Sequence, residues 1–296
     1  MSIKWEAVTN PIRQDIRLAY RDPVLFHHEG IYHIFYTVVE QEQEQDRYRL
    51  YMEHSRSTDL AHWEPAVRVA DSPLNFSSPG NIVRAGGKWL LCVQSYPMEP
   101  GEIYGNASSR LWLMESADLT NWSEPWMIQE SGCQAVWSSS PRQIDPYLVE
   151  YQSRYWCFYK AAGQLGALVS DNLRDWQEAS PDRPVLSSTE TPDGSTVENP
   201  CIVRDGEEFV LFFSPCRQGR GIGTARSRNL LDWSEVRYLD FPELAWAPGG
   251  PTAAMVLDRR EACGKWLMAF HGDTEGPHGA ALGLAWSGDL EHWHIS

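Results

Sequence analysis

The pattern Ser-x-x-Leu-x-x-Trp occurs five times in this chain, at residues 57–63, 116–122, 170–176, 227–233 and 287–293. Successive tryptophans are 59, 54, 57 and 60 residues apart, so the copies extend through most of the 296 residues. A period of this length marks a repeat architecture, in which each unit buries its apolar face against its neighbours. A second feature precedes every copy: a proline opens an apolar run, and a turn and an aromatic run follow. The openings are Asp22-Pro23, Ser78-Pro79, Asp145-Pro146, Asn199-Pro200 and Gly250-Pro251. Aromatic runs such as Tyr32-His33-Ile34-Phe35-Tyr36 and Tyr155-Trp156-Cys157-Phe158-Tyr159 come next.

Each unit therefore reads as strand, turn, strand, loop, strand, tight turn, strand. Proline is tolerated at the start of a strand and breaks the ladder in the middle of a central one. No convincing amphipathic helix interrupts the short apolar runs, which indicates an all-β chain. Four antiparallel strands per unit, repeated five times, predict a single five-bladed β-propeller over residues 1–296, with blades starting near 22, 78, 145, 199 and 250. Only three residues follow Trp293, and Trp5-Glu6 resembles Trp63-Glu64. The N-terminal segment is therefore expected to complete or flank the last blade.

Fourteen tryptophans suit both β structure and stacking on sugar rings. A formal net charge of −15 and the absence of any Lys/Arg-rich run work against a nucleic-acid partner. The acidic stretch from Glu40 to Asp46 reads as a solvated loop. The six cysteines lack CxxC spacing, and Cys92, Cys157 and Cys201 lie in apolar runs, so buried free thiols are expected. The first residues show no apolar signal-peptide core, and no window approaches the ~18 apolar residues of a membrane span. A cytoplasmic protein with no membrane partner is the expectation.

The innermost strands of a propeller all run the same way along its axis. Residues just before the five prolines should then meet at one mouth of the channel: Asp22, Ser78, Asp145, Asn199 and Gly250, with Glu198 beside Asn199. Three carboxylates round a small opening repel one another and raise at least one pKa, an arrangement associated with chemistry or a metal. Glu190 and Asp193 lie further from the strand start and rank below them. Paired carboxylates are the usual apparatus of glycoside hydrolysis, one ionised and the other held protonated.

On these residues the chain resembles glycoside hydrolase family 43 and its five-bladed relatives over essentially its full length. The resemblance rests on Tyr20-Arg21-Asp22-Pro23, Ile144-Asp145-Pro146 and Val197-Glu198-Asn199-Pro200. It implies Asp22 as general base, Asp145 as the group that tunes the acid, and Glu198 as general acid. It also implies a fifth-blade histidine near the axis, matched by His271 in Phe270-His271-Gly272-Asp273, of a kind associated with a structural calcium ion or a water cluster. Imidazole is a poor direct ligand for calcium, so such a metal would be held through water and oxygen. No cofactor is otherwise required. Arg21 before Asp22 and Asn199 after Glu198 depart from the sucrose- and fructan-cleaving relatives, and Asp22 departs from the phosphorylases.

The expected reaction is inverting, exo-acting hydrolysis of short arabinose-, xylose- or galactose-type oligosaccharides. Its two acting carboxyl groups should lie about 6.5–9.5 Å apart. Candidates for the substrate walls are Asn75, Phe76, Tyr96, Trp137, Arg142, Asn199, Trp246 and His271. A carbohydrate-binding propeller without catalysis, and a retaining fructosidase-like or other propeller glycosidase, remain the alternatives. The mouth residues differ from blade to blade while the scaffold motif repeats, which favours one central site.

Overall fold

The structure, a computed structural model, describes residues 3–42, 47–276 and 278–296. Residues 1–2 of the N-terminal reading and 43–46 of the acidic stretch lie outside the described residues. Twenty strands form five four-stranded antiparallel sheets, each in chain order from the channel outward. Blade one holds β1 (Leu18–His28), β2 (Ile31–Glu42), β3 (Arg47–Ser57) and β4 (Val67–Ala70). Blade two holds β5 (Ile82–Ala85), β6 (Lys88–Gln94), β7 (Leu111–Ser116) and β8 (Trp126–Met127). Blade three holds β9 (Ile144–Tyr151), β10 (Arg154–Ala161), β11 (Gln164–Ser170) and β12 (Gln177–Glu178). Blade four holds β13 (Val197–Asp205), β14 (Glu208–Pro215), β15 (Gly223–Ser227) and β16 (Ser234–Tyr238). Blade five holds β17 (Gly250–Arg259), β18 (Lys265–Asp273), β19 (Ala280–Ser287) and β20 (Trp293–His294). This is the five-bladed propeller expected. Glu40–Glu42, expected in a loop, instead extend β2 and pair with Arg47–Arg49 of β3.

The repeated motif is the turn between the third and fourth strands, and its chemistry is fuller than its spacing suggests. All five of its serines are buried. The Ser227 hydroxyl accepts the N–H of Asn229 at 3.2 Å and of Leu230 at 3.0 Å. The third position is always Asp or Asn, and its side-chain oxygen accepts two further N–H groups, as Asp289 does from Glu291 at 2.9 Å and His292 at 2.8 Å. The motif leucine takes a left-handed backbone in every copy, with φ between 61° and 68°. Turn bonds and leucine burial together stabilise a conformation that a β-carbon disfavours. The tryptophan then reaches the preceding blade: Trp122 meets Phe35 edge-on at 5.8 Å, Trp233 meets Phe158 at 6.4 Å and Trp293 meets Phe212 at 6.1 Å. The motif thus joins blades as well as turning the chain.

The ring closes as the N-terminal reading anticipates. Ile12 N–H donates to the Leu282 carbonyl and Leu282 N–H to that of Arg13, both at 2.9 Å. Asn10 exchanges side-chain hydrogen bonds with the Leu284 backbone at 2.8 and 2.9 Å, and Trp5 stacks on Trp286 at 4.8 Å. The N-terminal segment therefore pairs with β19 on the edge that two-residue β20 leaves open. One buried cluster joins Tyr20, Ile34 and Tyr36 of blade one to Leu267, Leu282 and Leu284 of blade five. The described cysteines are free thiols, and Cys92, Cys133, Cys157 and Cys201 are buried.

Candidate active site

The inner strands carry a bulge at the mouth, and its backbone defines which residues are equivalent. Asp22, Ser78, Asp145, Asn199 and Ala253 each have φ between 42° and 55° and follow one another round the channel. Gly250, expected in blade five, is therefore three residues out of register. Blade five has Ala254 where the others have proline, and Pro251 precedes the bulge, so proline misplaces the equivalence. Asp and Asn tolerate the left-handed region better than most residues, which favours them at this bend.

Four of the five bulges are anchored the same way. Their N–H groups donate to an acceptor on the second strand of the previous blade. Ser78 donates to Thr37 Oγ1 at 2.8 Å, Asp145 to Gln94 Oε1 at 2.7 Å, Ala253 to Ser214 Oγ at 2.8 Å and Asp22 to His271 Nδ1 at 3.0 Å. The equivalent residue of blade three is Lys160, which has no acceptor to offer. Asn199 N–H turns instead to Asp145 Oδ2 at 3.3 Å, and the Lys160 ammonium is left to bind Glu198 Oε2. One substitution in a five-fold pattern thus places a cation beside the carboxylates.

Above the bulges lies a cavity of about 670 Å³, a size suited to a small ligand. Asp22, Asp145, Glu198, Asn199, Tyr96 and Arg142 all line it, as anticipated, together with Lys160, Arg217, Arg220 and Asp273. Asp22 Oδ2 accepts the Ser78 hydroxyl at 3.0 Å and makes no ion pair with Lys or Arg among the described residues. Glu198 lies between two cations, Lys160 and Arg220, with Arg220 Nη1 at 2.7 Å from its Oε1. Arg220 also reaches Asp273 at 3.0 Å, and Arg21 reaches the same carboxylate at 3.2 Å.

These surroundings separate the two adjacent acids. Burial raises Asp145 to about 7; Lys160 opposes this, while Glu198 and Asp22 reinforce it. Burial also works against a charge on Glu198, but Lys160 and Arg220 overcome it and hold its pKa low. Burial thus favours the neutral form of Asp145, and the two cations favour the charged form of Glu198. The expected assignment has Glu198 as the proton donor and Asp145 as the group that tunes it; the directions of shift seen here favour the proton on Asp145 in the free protein. The physical reason is the clamp of Lys160 and Arg220.

The remaining anticipated residues do not line the cavity. Phe76 is buried edge-on against Trp112 at 5.3 Å. Asn75 braces a loop, accepting the Leu50 N–H at 3.1 Å. Trp137 donates to the Ser180 carbonyl at 3.0 Å, and Trp246 packs against Phe270 at 6.0 Å. Glu190 caps its own loop through Ser187, and Asp193 pairs with Arg217 at 2.9 Å. His271 is fully buried beneath the cavity floor. Its Nδ1 accepts the Asp22 N–H, which puts the ring proton on Nε2, 3.5 Å from Asp273 Oδ1. Burial, then Arg21, lowers its pKa and keeps it neutral. It positions Asp22 and has no nitrogen lone pair left for a metal. Among the described residues no group of three or more His, Cys, Asp or Glu side chains converges as a metal site. The residues present therefore do not fit a protein-held calcium ion.

No protein-family model and no curated protein matches the chain. Solved structures do. An exo-1,5-alpha-L-arabinanase from a bovine ruminal metagenomic library is similar with a TM-score of 0.69 at 17% identity, covering 96% of this chain and 99% of that one. An alpha-L-arabinanase from Cellvibrio cellulosa, solved with arabinohexaose, has a TM-score of 0.66 at 16% identity, with 95% and 96% covered. A thermostable family-43 glycoside hydrolase has a TM-score of 0.63 at 14% identity, with 97% and 95% covered. At such identities the likeness establishes the fold.

Proposed function

We propose that this protein hydrolyses glycosidic bonds of short oligosaccharides by single displacement with inversion. The observation that supports this reading is one cavity that brings Asp22, Asp145 and Glu198 together in different surroundings: Asp22 without a Lys or Arg partner among the described residues, Asp145 with its pKa raised by burial, and Glu198 between two cations. Glycoside hydrolysis needs such a division of labour. Asp22 draws a proton from a water on one face of the sugar. The water oxygen bonds to the anomeric carbon as the bond to the leaving oxygen breaks. Asp145 gives its proton to that oxygen, while Glu198, held ionised by Lys160 and Arg220, remains the charged neighbour that favours the proton on Asp145. The second reading is the role expected of Glu198 from sequence, direct donation of the proton, with Asp145 tuning it.

The fold likeness to two arabinanases over nearly the whole of each chain supports an arabinose-type or similar substrate. Leaving-group dependence separates the two donors. An enzyme without its acid still expels a nitrophenolate, which needs no proton, but not a sugar alkoxide. Asp145→Asn is expected to retain far more activity on nitrophenyl glycosides than on oligosaccharides. If Glu198→Gln shows that selectivity and Asp145→Asn does not, Glu198 is the donor. No turnover of any nitrophenyl arabinoside, xyloside or galactoside by the wild type would favour the binding propeller instead.

A further inference from the structure

Arg142 is the cavity cation without an assigned task. Lys160 and Arg220 hold Glu198, Arg21 and Arg220 hold Asp273, and Arg217 holds Asp193. Arg142 forms no ion pair and no side-chain hydrogen bond among the described residues, and its Nε is buried without a partner. A buried donor left unpaired is costly, more so when it is charged. The guanidinium is nevertheless fixed, stacked over the Tyr96 ring with its central carbon 5.3 Å from the ring centre. Tyr96 is itself held by Asn75, whose amide donates to the Tyr96 carbonyl at 3.3 Å. This describes a guanidinium at the cavity, held against an aromatic ring, whose donors the protein itself does not use among the described residues.

The charges around it point to the ligand's sign. The chain carries a net charge of −15, yet five cations (Arg21, Arg142, Lys160, Arg217, Arg220) line the cavity against four carboxyl groups. A guanidinium can also donate to neutral hydroxyls, but without matching charge. A planar carboxylate matches the guanidinium in charge and in its two parallel acceptors. Arg142 also lies three residues before Asp145 on the same segment, a reach of at most about 10 Å along an extended chain.

We propose that Arg142 recognises an acidic group on the substrate, a uronic acid within one ring of the scissile bond. This rests on the glycosidase reading for the meaning of that bond, but binding alone tests it. Titration calorimetry would compare galacturonate, galactose 6-phosphate and galactose on the wild type, on Arg142→Gln and on Arg142→Lys, with thermal melting confirming that each variant folds. The wild type is expected to bind galacturonate about tenfold or more tightly than galactose, the scale of a charge-assisted hydrogen bond. Arg142→Gln should abolish that preference, and Arg142→Lys should keep only part of it. A preference for galactose 6-phosphate that Arg142→Gln abolishes would replace the carboxylate with a phosphate and overturn the uronic acid. Equal binding of all three sugars, no binding of galacturonate at millimolar concentration, or a preference that survives Arg142→Gln would overturn the proposal. Each of these leaves the hydrolysis reading standing, whereas galacturonate binding without hydrolysis of any glycoside would remove that reading alone.

Discussion

Asp145 and Glu198 share one cavity, and their surroundings shift the two pKa values in opposite directions. Asp145's pKa, raised to about 7 by burial, stands above that of an unfolded aspartate. Its contribution to stability is present in full below about 4, the unfolded aspartate value, and lost as pH rises through about 7. Glu198's pKa is depressed, so its contribution is present above the unfolded glutamate value and lost as pH falls below it. Chemical denaturation across pH 4–8 should therefore show wild-type stability declining relative to Asp145→Asn as pH rises. The rate should follow the same group, with kcat/KM falling above about 7 as Asp145 loses its proton. Lys160→Gln gives a sharper test, because it removes a cation that lowers both acids while restoring an acceptor at the position that anchors the other four bulges. The variant is expected to fold with reduced stability, because Glu198 keeps only Arg220, and with the alkaline limb of the pH–rate profile moved upward. An unmoved limb would mean that Lys160 does not govern the pair.

At the scale of the element, the turn motif carries stability that its sequence only partly advertises. Ser227→Ala removes a buried acceptor shared by two N–H groups and should cost about 1–2 kcal/mol in urea unfolding. Leu230→Ala empties a fully buried position and should cost about 2–5 kcal/mol. The spacing of Ser, Leu and Trp was plain from the chain, as were the three acids before the prolines. The Asp/Asn at the third position was equally visible but has no apolar periodicity to flag it. Lys160 was hidden for a different reason. It becomes informative only when the second strands are aligned as Thr37, Gln94, Lys160, Ser214 and His271, which requires knowing that this position anchors the next blade. Aromatic type misled the search for substrate walls. In this fold Phe76, Trp137 and Trp246 serve packing, while the cavity walls come from connections between second and third strands, where Arg217, Arg220 and His278 stand. Proline as a landmark failed only in blade five, where the bulge falls on Ala253.

Across the whole molecule, five near-equivalent blades build a symmetric scaffold around an asymmetric mouth. Closure depends on the segment that pairs with β19 and on the cluster joining blades one and five. Removal of residues 1–13 would expose that edge and the faces under Trp5 and Ile12, so the melting temperature should fall by several degrees; an unchanged melting temperature would show that the sheets close the ring unaided. The same closure delivers His271 of blade five to the Asp22 backbone of blade one. Scaffold and site are therefore coupled at the seam, and truncation should lower turnover as well as stability. The most direct measurement of the central claim is proton NMR of the first sugar released from an arabino-, xylo-, galacto- or galacturono-oligosaccharide. The account predicts release with inverted anomeric configuration by the wild type and none by Asp22→Asn. Retained configuration, or undiminished release by Asp22→Asn, would contradict it.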